Sequence, residues 1–213
     1  MIQRIADGDR CIQRMEDLVA RAAERGEDTV GLLRYLEDMR LVQGSFKENR
    51  EVLAQVLGER ARIAALQALN VMDSPEERAY DDITRLAASV CGTPMALVSL
   101  VDGTRQWFKS RVGLQAKETP RELAFCAHAI QTPGEVMVVQ DAQADPRFEN
   151  NALVTGDPNI RFYAGAPLVT SAGHALGTLC VIDTVPRGIT AAQMEELEFL
   201  ANQVIAAMEA RKA

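Results

Sequence analysis

Phe162-Tyr-Ala-Gly-Ala-Pro-Leu-Val-Thr170, the break Ser171-Ala-Gly-His-Ala175 and Leu176-Gly-Thr-Leu-Cys-Val-Ile-Asp183 decide how this chain is to be read. Both runs are apolar or small at almost every position and are bounded by turn residues, the pattern of strands covered on both faces. They form a hairpin in the middle of a sheet. Alternation along a strand sends Phe162, Ala164, Ala166 and Leu168 to one face and Tyr163, Gly165, Pro167 and Val169 to the other. Neither set suits water. Pro167 cannot donate to a ladder, so a bulge or break is expected there.

The chain has 213 residues, 47% of them apolar and 25% charged, enough for one ordinary domain and an appendage. A net charge of −7, with no Lys/Arg cluster interleaved with aromatics, argues against nucleic acid or an anionic membrane surface as partner. The opening residues lack the apolar core of a signal peptide and no run is long enough to span a bilayer, so a cytoplasmic protein is expected. Cys11, Cys91, Cys126 and Cys180 have neither CxxC nor metal-type spacing. They read as reduced thiols packed in a core.

Residues 1–60 form an all-helical segment. Ile12, Met15, Leu18, Val19 and Ala22 recur at helical spacing, Gly26 ends that helix, and Asp28 or Thr29 caps a second carrying Val30, Leu33, Leu36 and Met39. Ser45 with Glu48 resembles a capping box and predicts a third helix through Leu69. The narrow stripes suit a helical hairpin or a dimer bundle. Residues 61–213 follow as a second domain. Ser74-Pro75-Glu76-Glu77 predicts a helix start and Gly92 its end. Met95–Val101 is a strand. Gln106–Val112 alternates, with Phe108, Ser110 and Val112 opposite Trp107, Lys109 and Arg111, as in a charged edge strand. Thr119-Pro120-Arg121-Glu122 opens a short helix through Ile130, and Val136–Gln140 is a strand. The twenty-odd residues from Asp141 to Arg161 lack periodicity and form a candidate binding loop. Thr190 with Gln193 caps a last helix whose Met194, Leu197, Ala201, Val204 and Met208 are spaced as a dimer seam.

Ser99-Leu-Val-Asp102, Arg105-Gln-Trp-Phe-Lys-Ser110, Glu118-Thr-Pro-Arg121, Phe125-Cys-Ala-His-Ala-Ile130, Asp145-Pro-Arg-Phe148 and Arg161-Phe-Tyr-Ala-Gly-Ala-Pro-Leu168, with Gly177–Asp183, together resemble a GAF domain. More narrowly, they resemble the subgroup found in bacterial sensor histidine kinases and diguanylate cyclases. The resemblance covers about Arg60 to Ala207. It implies an α+β fold: a central antiparallel sheet, terminal helices on one face, a pocket-forming helix and loop on the other, and dimerisation through the terminal helices. No kinase, cyclase or DNA-binding output follows in this chain, so action in trans, or a chain that is a fragment, is expected.

Cys126 and His128 are too close in a helix to share a face, which argues against a metal site or a nucleophile pair. His128 either faces the pocket as a neutral hydrogen-bonding group or holds the pocket roof to nearby backbone. Arg147 and Arg161 bracket the long loop and could fork onto an acidic ligand. Equally, each could tie the loop to Asp141, Asp145 or Asp157. Phe125, Phe148 and Tyr163 offer an aromatic lining or plain core. The candidate ligand-binding set is therefore Phe125, His128, Arg147, Phe148, Arg161 and Tyr163, with no catalytic or metal residues assigned and no cofactor named. The Asn-Lys-Phe-Asp-Glu signature of cyclic-nucleotide-binding relatives is absent. The expected function is a non-enzymatic sensory or regulatory module with an unidentified small-molecule ligand, a second copy of itself and a signalling protein as partners. The alternatives are a ligand-free dimerisation or docking module and an enzyme like the free methionine sulfoxide reductases.

Overall fold

A computed structural model describes residues 2–211. Helix α1 (Ile2–Glu24) and helix α2 (Val30–Ala68) are followed by α3 (Arg78–Cys91), β1 (Met95–Val101), β2 (Arg105–Val112), β3 (Glu118–Pro120), a 3-10 turn at Arg121–Leu123 and α4 (Phe125–Ala129). Then come β4 (Met137–Val139), α5 (Ala152–Thr155), β5 (Phe162–Val169), β6 (Ala175–Asp183) and α6 (Ala191–Ala210). The chain divides into two compact units, residues 1–60 and 61–213.

In the first unit α1 and α2 are joined by a short turn, with the Asp28 carboxylate accepting from Val30 N at 3.0 Å. Gln43 is buried and donates to Ile5 O at 2.6 Å and to Asp9 Oδ1 at 3.0 Å. Gly8 permits this, since a Cβ there would lie 2.1 Å from the Gln43 side chain. Residue 45 does not start a new helix. Ser45 Oγ donates back to Leu41 O at 3.3 Å, a bond that a mid-helix serine makes without interrupting the ladder.

The second unit is built on a six-stranded antiparallel sheet in the order β3-β2-β1-β6-β5-β4. The hairpin lies inside it: every β6 residue is buried, and β5 and β6 pair from Phe162↔Asp183 to Val169↔Ala175. The expected break falls between Pro167 and Val169, where the register shifts. The two strand faces enter different cores. Phe162, Ala164, Ala166 and Leu168 pack with Tyr80 of α3, Leu66 of α2 and Leu197 and Val204 of α6. On the other face Tyr163 and Cys180 pack with Phe108, Phe125, Phe148 and Ile160.

Several expectations fail, each through a partner distant in sequence. β2 is not an edge, because β3 pairs outside it with Gln106 opposite Thr119. The β1–β2 register shifts at Val98/Ser99, leaving Lys109 unpaired as the extra residue of a bulge. Its ammonium is therefore buried, donating to Ser74 Oγ and Pro75 O at 2.6 Å and to Glu77 Oε1 at 2.7 Å. That contact also explains the delayed start of α3: Ser74 and Glu77 hold Lys109, so the helix begins at Arg78. Beyond the bulge Ser110 donates to Asp81 of α3, whereas Phe108 packs on the opposite face. The α6 spacing is likewise no dimer seam. The Thr190–Gln193 capping box forms as expected, but Leu197, Ala201, Val204 and Met208 are buried against this chain's own sheet.

Leu197→Asp should therefore unfold the domain rather than only separate subunits, costing at least about 3 kcal/mol for a carboxylate without a partner. Urea denaturation followed by Trp107 fluorescence measures it; an unchanged midpoint would contradict this placement.

Candidate functional site

β1, β2 and β6 floor a cavity of about 300 Å³ that α4, β3, the 113–116 turn and the long loop enclose. Met95, Leu97, Phe108, Ile160 and Ile182 make its walls apolar, and Phe125 and Tyr163 add aromatic faces. Gly113, Gln115, Ala116 and Asp157, all solvent-exposed, rim it. Two polar groups interrupt the apolar lining: Gln106 on β2 and its cross-strand neighbour Thr119 on β3. Gln106 Oε1 and Thr119 Oγ1 are both buried and have no hydrogen-bond partner among the described residues. Buried polar atoms are normally satisfied, so an adjacent unsatisfied pair inside a cavity is an exception to the pattern of the core.

The six candidate residues separate. Phe125 stacks on Phe148 with centroids 3.9 Å apart and lies 5.3 Å from the Tyr163 ring. Phe125 and Tyr163 reach the cavity, while Phe148 backs them. His128 does not face the cavity. It is exposed, sits edge-on to Phe148 at 4.9 Å and lines a shallow surface depression with Arg121 and Glu122. Burial, then the nearby Arg147 charge, push its pKa down, which favours the neutral ring.

The two arginines serve the loop. Arg147 forks onto Asp145 at 2.6 and 3.0 Å, and that contact holds the Asp145 carboxyl below the ordinary range. Arg161 donates to the carbonyls of Val154 and Ile160 at 2.9 and 3.0 Å, where carboxylates were expected. Neither lines the cavity, so the cavity has no guanidinium for an acid. Asn151, which caps α5 and donates to Leu123 O at 3.1 Å, holds the loop to the roof segment. Gln106 escaped sequence reading because β2 looked like an edge, and Thr119 because it read as the start of a helix, where β3 stands instead and α4 begins only at Phe125. A glutamine two residues before Phe108, in phase with a buried face, was the available signal.

Deep in the cavity lies a sulfur-centred network. Thr178 Oγ1 donates to Cys126 Sγ at 3.0 Å, Tyr163 Oη donates to the same sulfur at 3.4 Å, and Cys180 Sγ lies 3.9 Å from it. Gly165 makes this possible: Tyr163 lies across it, and a Cβ at 165 would sit 2.1 Å from the phenol oxygen. Burial by itself pushes the Cys126 thiol up. Hydrogen bonding from Cys180, Ser99, Thr178 and Tyr163 outweighs it and brings the pKa to about 7. Ser99 Oγ makes no hydrogen bond of normal geometry, so its share is that of a nearby dipole. Burial, reinforced by the neighbouring Cys126, pushes Cys180 well up.

The family model described as "GAF domain" matches residues 75–208. The chain belongs to the GAF family. It is 45% identical over 149 residues to a cyclic di-GMP phosphodiesterase of Pseudomonas aeruginosa, a match covering 70% of this chain and 25% of that protein. The chain thus corresponds to about a quarter of that relative's length. Among solved structures it is similar to the GAF domain of an Acinetobacter phosphoenolpyruvate-protein phosphotransferase, with TM-score 0.53, 16% identity and coverage of 74% of this chain and 93% of the other. A free methionine-R-sulfoxide reductase from Neisseria meningitidis, in complex with its substrate, is similar with TM-score 0.52, 18% identity and coverage of 68% and 86%. At these identities the structural likeness concerns the fold. No helix among the described residues is long and apolar enough to cross a membrane, and no cluster of three or more metal-ligating His, Cys, Asp or Glu side chains occurs among them.

Tyr163→Phe removes one donor from Cys126 and should raise its thiol pKa from about 7 towards the ordinary value of about 8.5. Thiolate ultraviolet absorbance against pH, in a Cys11→Ser background, reads the shift.

Proposed function

We propose that this GAF chain is a regulatory module of bacterial signal transduction whose cavity takes up a small, neutral, largely apolar molecule. The unsatisfied pair Gln106 Oε1 and Thr119 Oγ1 carries this reading. A ligand donor reaching both would satisfy groups whose isolation costs about 1–3 kcal/mol each. Volume and charge narrow the class. A cavity of about 300 Å³ lies at the small end of ligand sites, and without a basic side chain in its lining it does not suit a phosphorylated dinucleotide. A single aromatic or heteroaromatic ring with one N–H or O–H suits the Phe125 and Tyr163 faces and the two acceptors. The name of the Pseudomonas relative supports signalling as the setting. We take the present chain to regulate such an output rather than to perform it.

Gln106→Leu with Thr119→Val should raise the melting temperature of the ligand-free protein, because the unpaired polar atoms are gone. The same variant should lose the thermal shift given by a panel of phenols, indoles and primary aromatic amides. No shift of the unmodified protein across that panel would overturn the reading.

The expected homodimer rests on residues 1–60. Tyr35, Val42, Phe46, Leu53, Val56 and Leu57 lie on one face of α2 by helical spacing and are 44–56% exposed. A second copy presenting the same stripe would cover both in a four-helix bundle. This replaces α6, whose Leu197, Ala201, Val204 and Met208 are already buried. Phe46→Glu with Leu53→Glu should halve the mass seen by sedimentation equilibrium while leaving the Gln106 cavity intact; a dimer that persists would place the interface elsewhere.

A further inference from the structure

We propose that Cys126 and Cys180 form a peroxide-sensitive dithiol, in which a hydroperoxide entering through the cavity oxidises the two thiols to an intrachain disulfide. The observation that carries this is geometric. Two sulfurs from separate elements, α4 and β6, face each other at 3.9 Å inside the core, so that an approach of about 2 Å separates contact from the S–S bond length of about 2.05 Å. Cys126 also lines the cavity, whose rim is solvent-exposed, so a molecule little larger than water has a route to it.

The surroundings of the two sulfurs divide the labour. Hydroxyls of Thr178 and Tyr163 point their protons at Cys126. Such donors stabilise an anion on sulfur, and the thiolate is the nucleophilic form. Cys180 sits in the middle of β6 with Cys126 as its sulfur neighbour and keeps its proton. One thiol is therefore arranged to attack and the other to resolve. Neither remaining cysteine offers this pairing: Cys91 ends α3 on the opposite face of the sheet, and Cys11 is an exposed residue of the helical unit.

The chemistry balances without a metal or cofactor. The Cys126 thiolate attacks one peroxide oxygen, forming the S–O bond of a sulfenic acid as the O–O bond breaks. The departing hydroxide or alkoxide takes the proton that the thiol gave up and leaves as water or an alcohol. Cys180 sulfur then attacks the sulfenic sulfur; the S–S bond forms, the S–O bond breaks, and hydroxide leaves with the Cys180 proton as water. Two thiols are oxidised by two electrons in total, and the hydroperoxide is reduced. The product ties the roof helix α4 to the sheet floor at β6. This does not depend on the identity of the cavity ligand.

The test treats the full chain carrying Cys11→Ser with excess hydrogen peroxide. Expected are loss of two hydrogens in intact mass, a fall from three titratable thiols to one on denaturation, and a proteolytic fragment in which the Cys126 and Cys180 peptides are joined. Dithiothreitol should reverse all three. In the same background Cys180→Ser should leave Cys126 as a sulfenic acid that dimedone traps. Peptide mapping of the unmodified chain provides the readout should a variant misfold. Cys126 and Cys180 remaining free while Cys11 is oxidised would overturn the proposal, as would Cys126 passing to sulfinic acid with Cys180 still a thiol, or linkage through Cys91.

Discussion

The three central strands of the sheet, β1, β6 and β5, have almost no wet face. That constraint organises the GAF domain. A strand whose alternate side chains are both apolar must be covered twice, so the chain has to supply two layers, and it supplies unequal ones. The terminal side receives full-length helices α3 and α6 and the end of α2, which close completely over Phe162, Ala164 and Leu168. The other side receives one turn of α4, one turn of α5 and a loop of about twenty residues. That side, covered by short elements and loop, is where the cavity lies. Its position is thus a consequence of which face drew the loop.

Within that cover, charged residues work mainly as fasteners. Arg105 bonds Asp73, Asp102 and Glu118, and those contacts raise its pKa. Arg187 reaches the carbonyls of Cys91 and Gly92 at the end of α3, and Asp183 at the end of β6. Lys109 joins β2 to the segment before α3. Arg105 and Lys109 belong to a motif by which the family is recognised, yet they hold this chain's own segments together rather than a ligand. This is why the resemblance specified the fold sharply and said little about what the cavity accepts.

Much of the architecture was legible because it depends on periodicity and on bonds made within a few residues. The hairpin, its disturbance at Pro167, the end of α3 at Gly92 and the Thr190 capping box are of that kind. What failed mostly involved a partner distant in sequence. Lys109 read as a solvent-facing charge because nothing local reveals Glu77 folding over it. The α6 stripe read as a seam because spacing shows that residues share a face and not what that face meets. Ser45 read as a cap because an i−4 bond to a carbonyl has the same sequence signature as a helix start.

The same division runs through the site. Sequence alone determined that β5 has two apolar faces, that an aperiodic loop lies beside it, and that Phe125, Phe148 and Tyr163 are available to the space between them. Only the tertiary structure decided that Arg147 and Arg161 are committed to the loop, that His128 faces outward, that Gln106 and Thr119 stand unpaired in the cavity, and that Cys126 meets Cys180 across 54 positions of chain. The physical reason is that face and period are properties of a single strand or helix. Whether a polar or nucleophilic group is paired, buried or free is a property of the neighbours that folding brings to it.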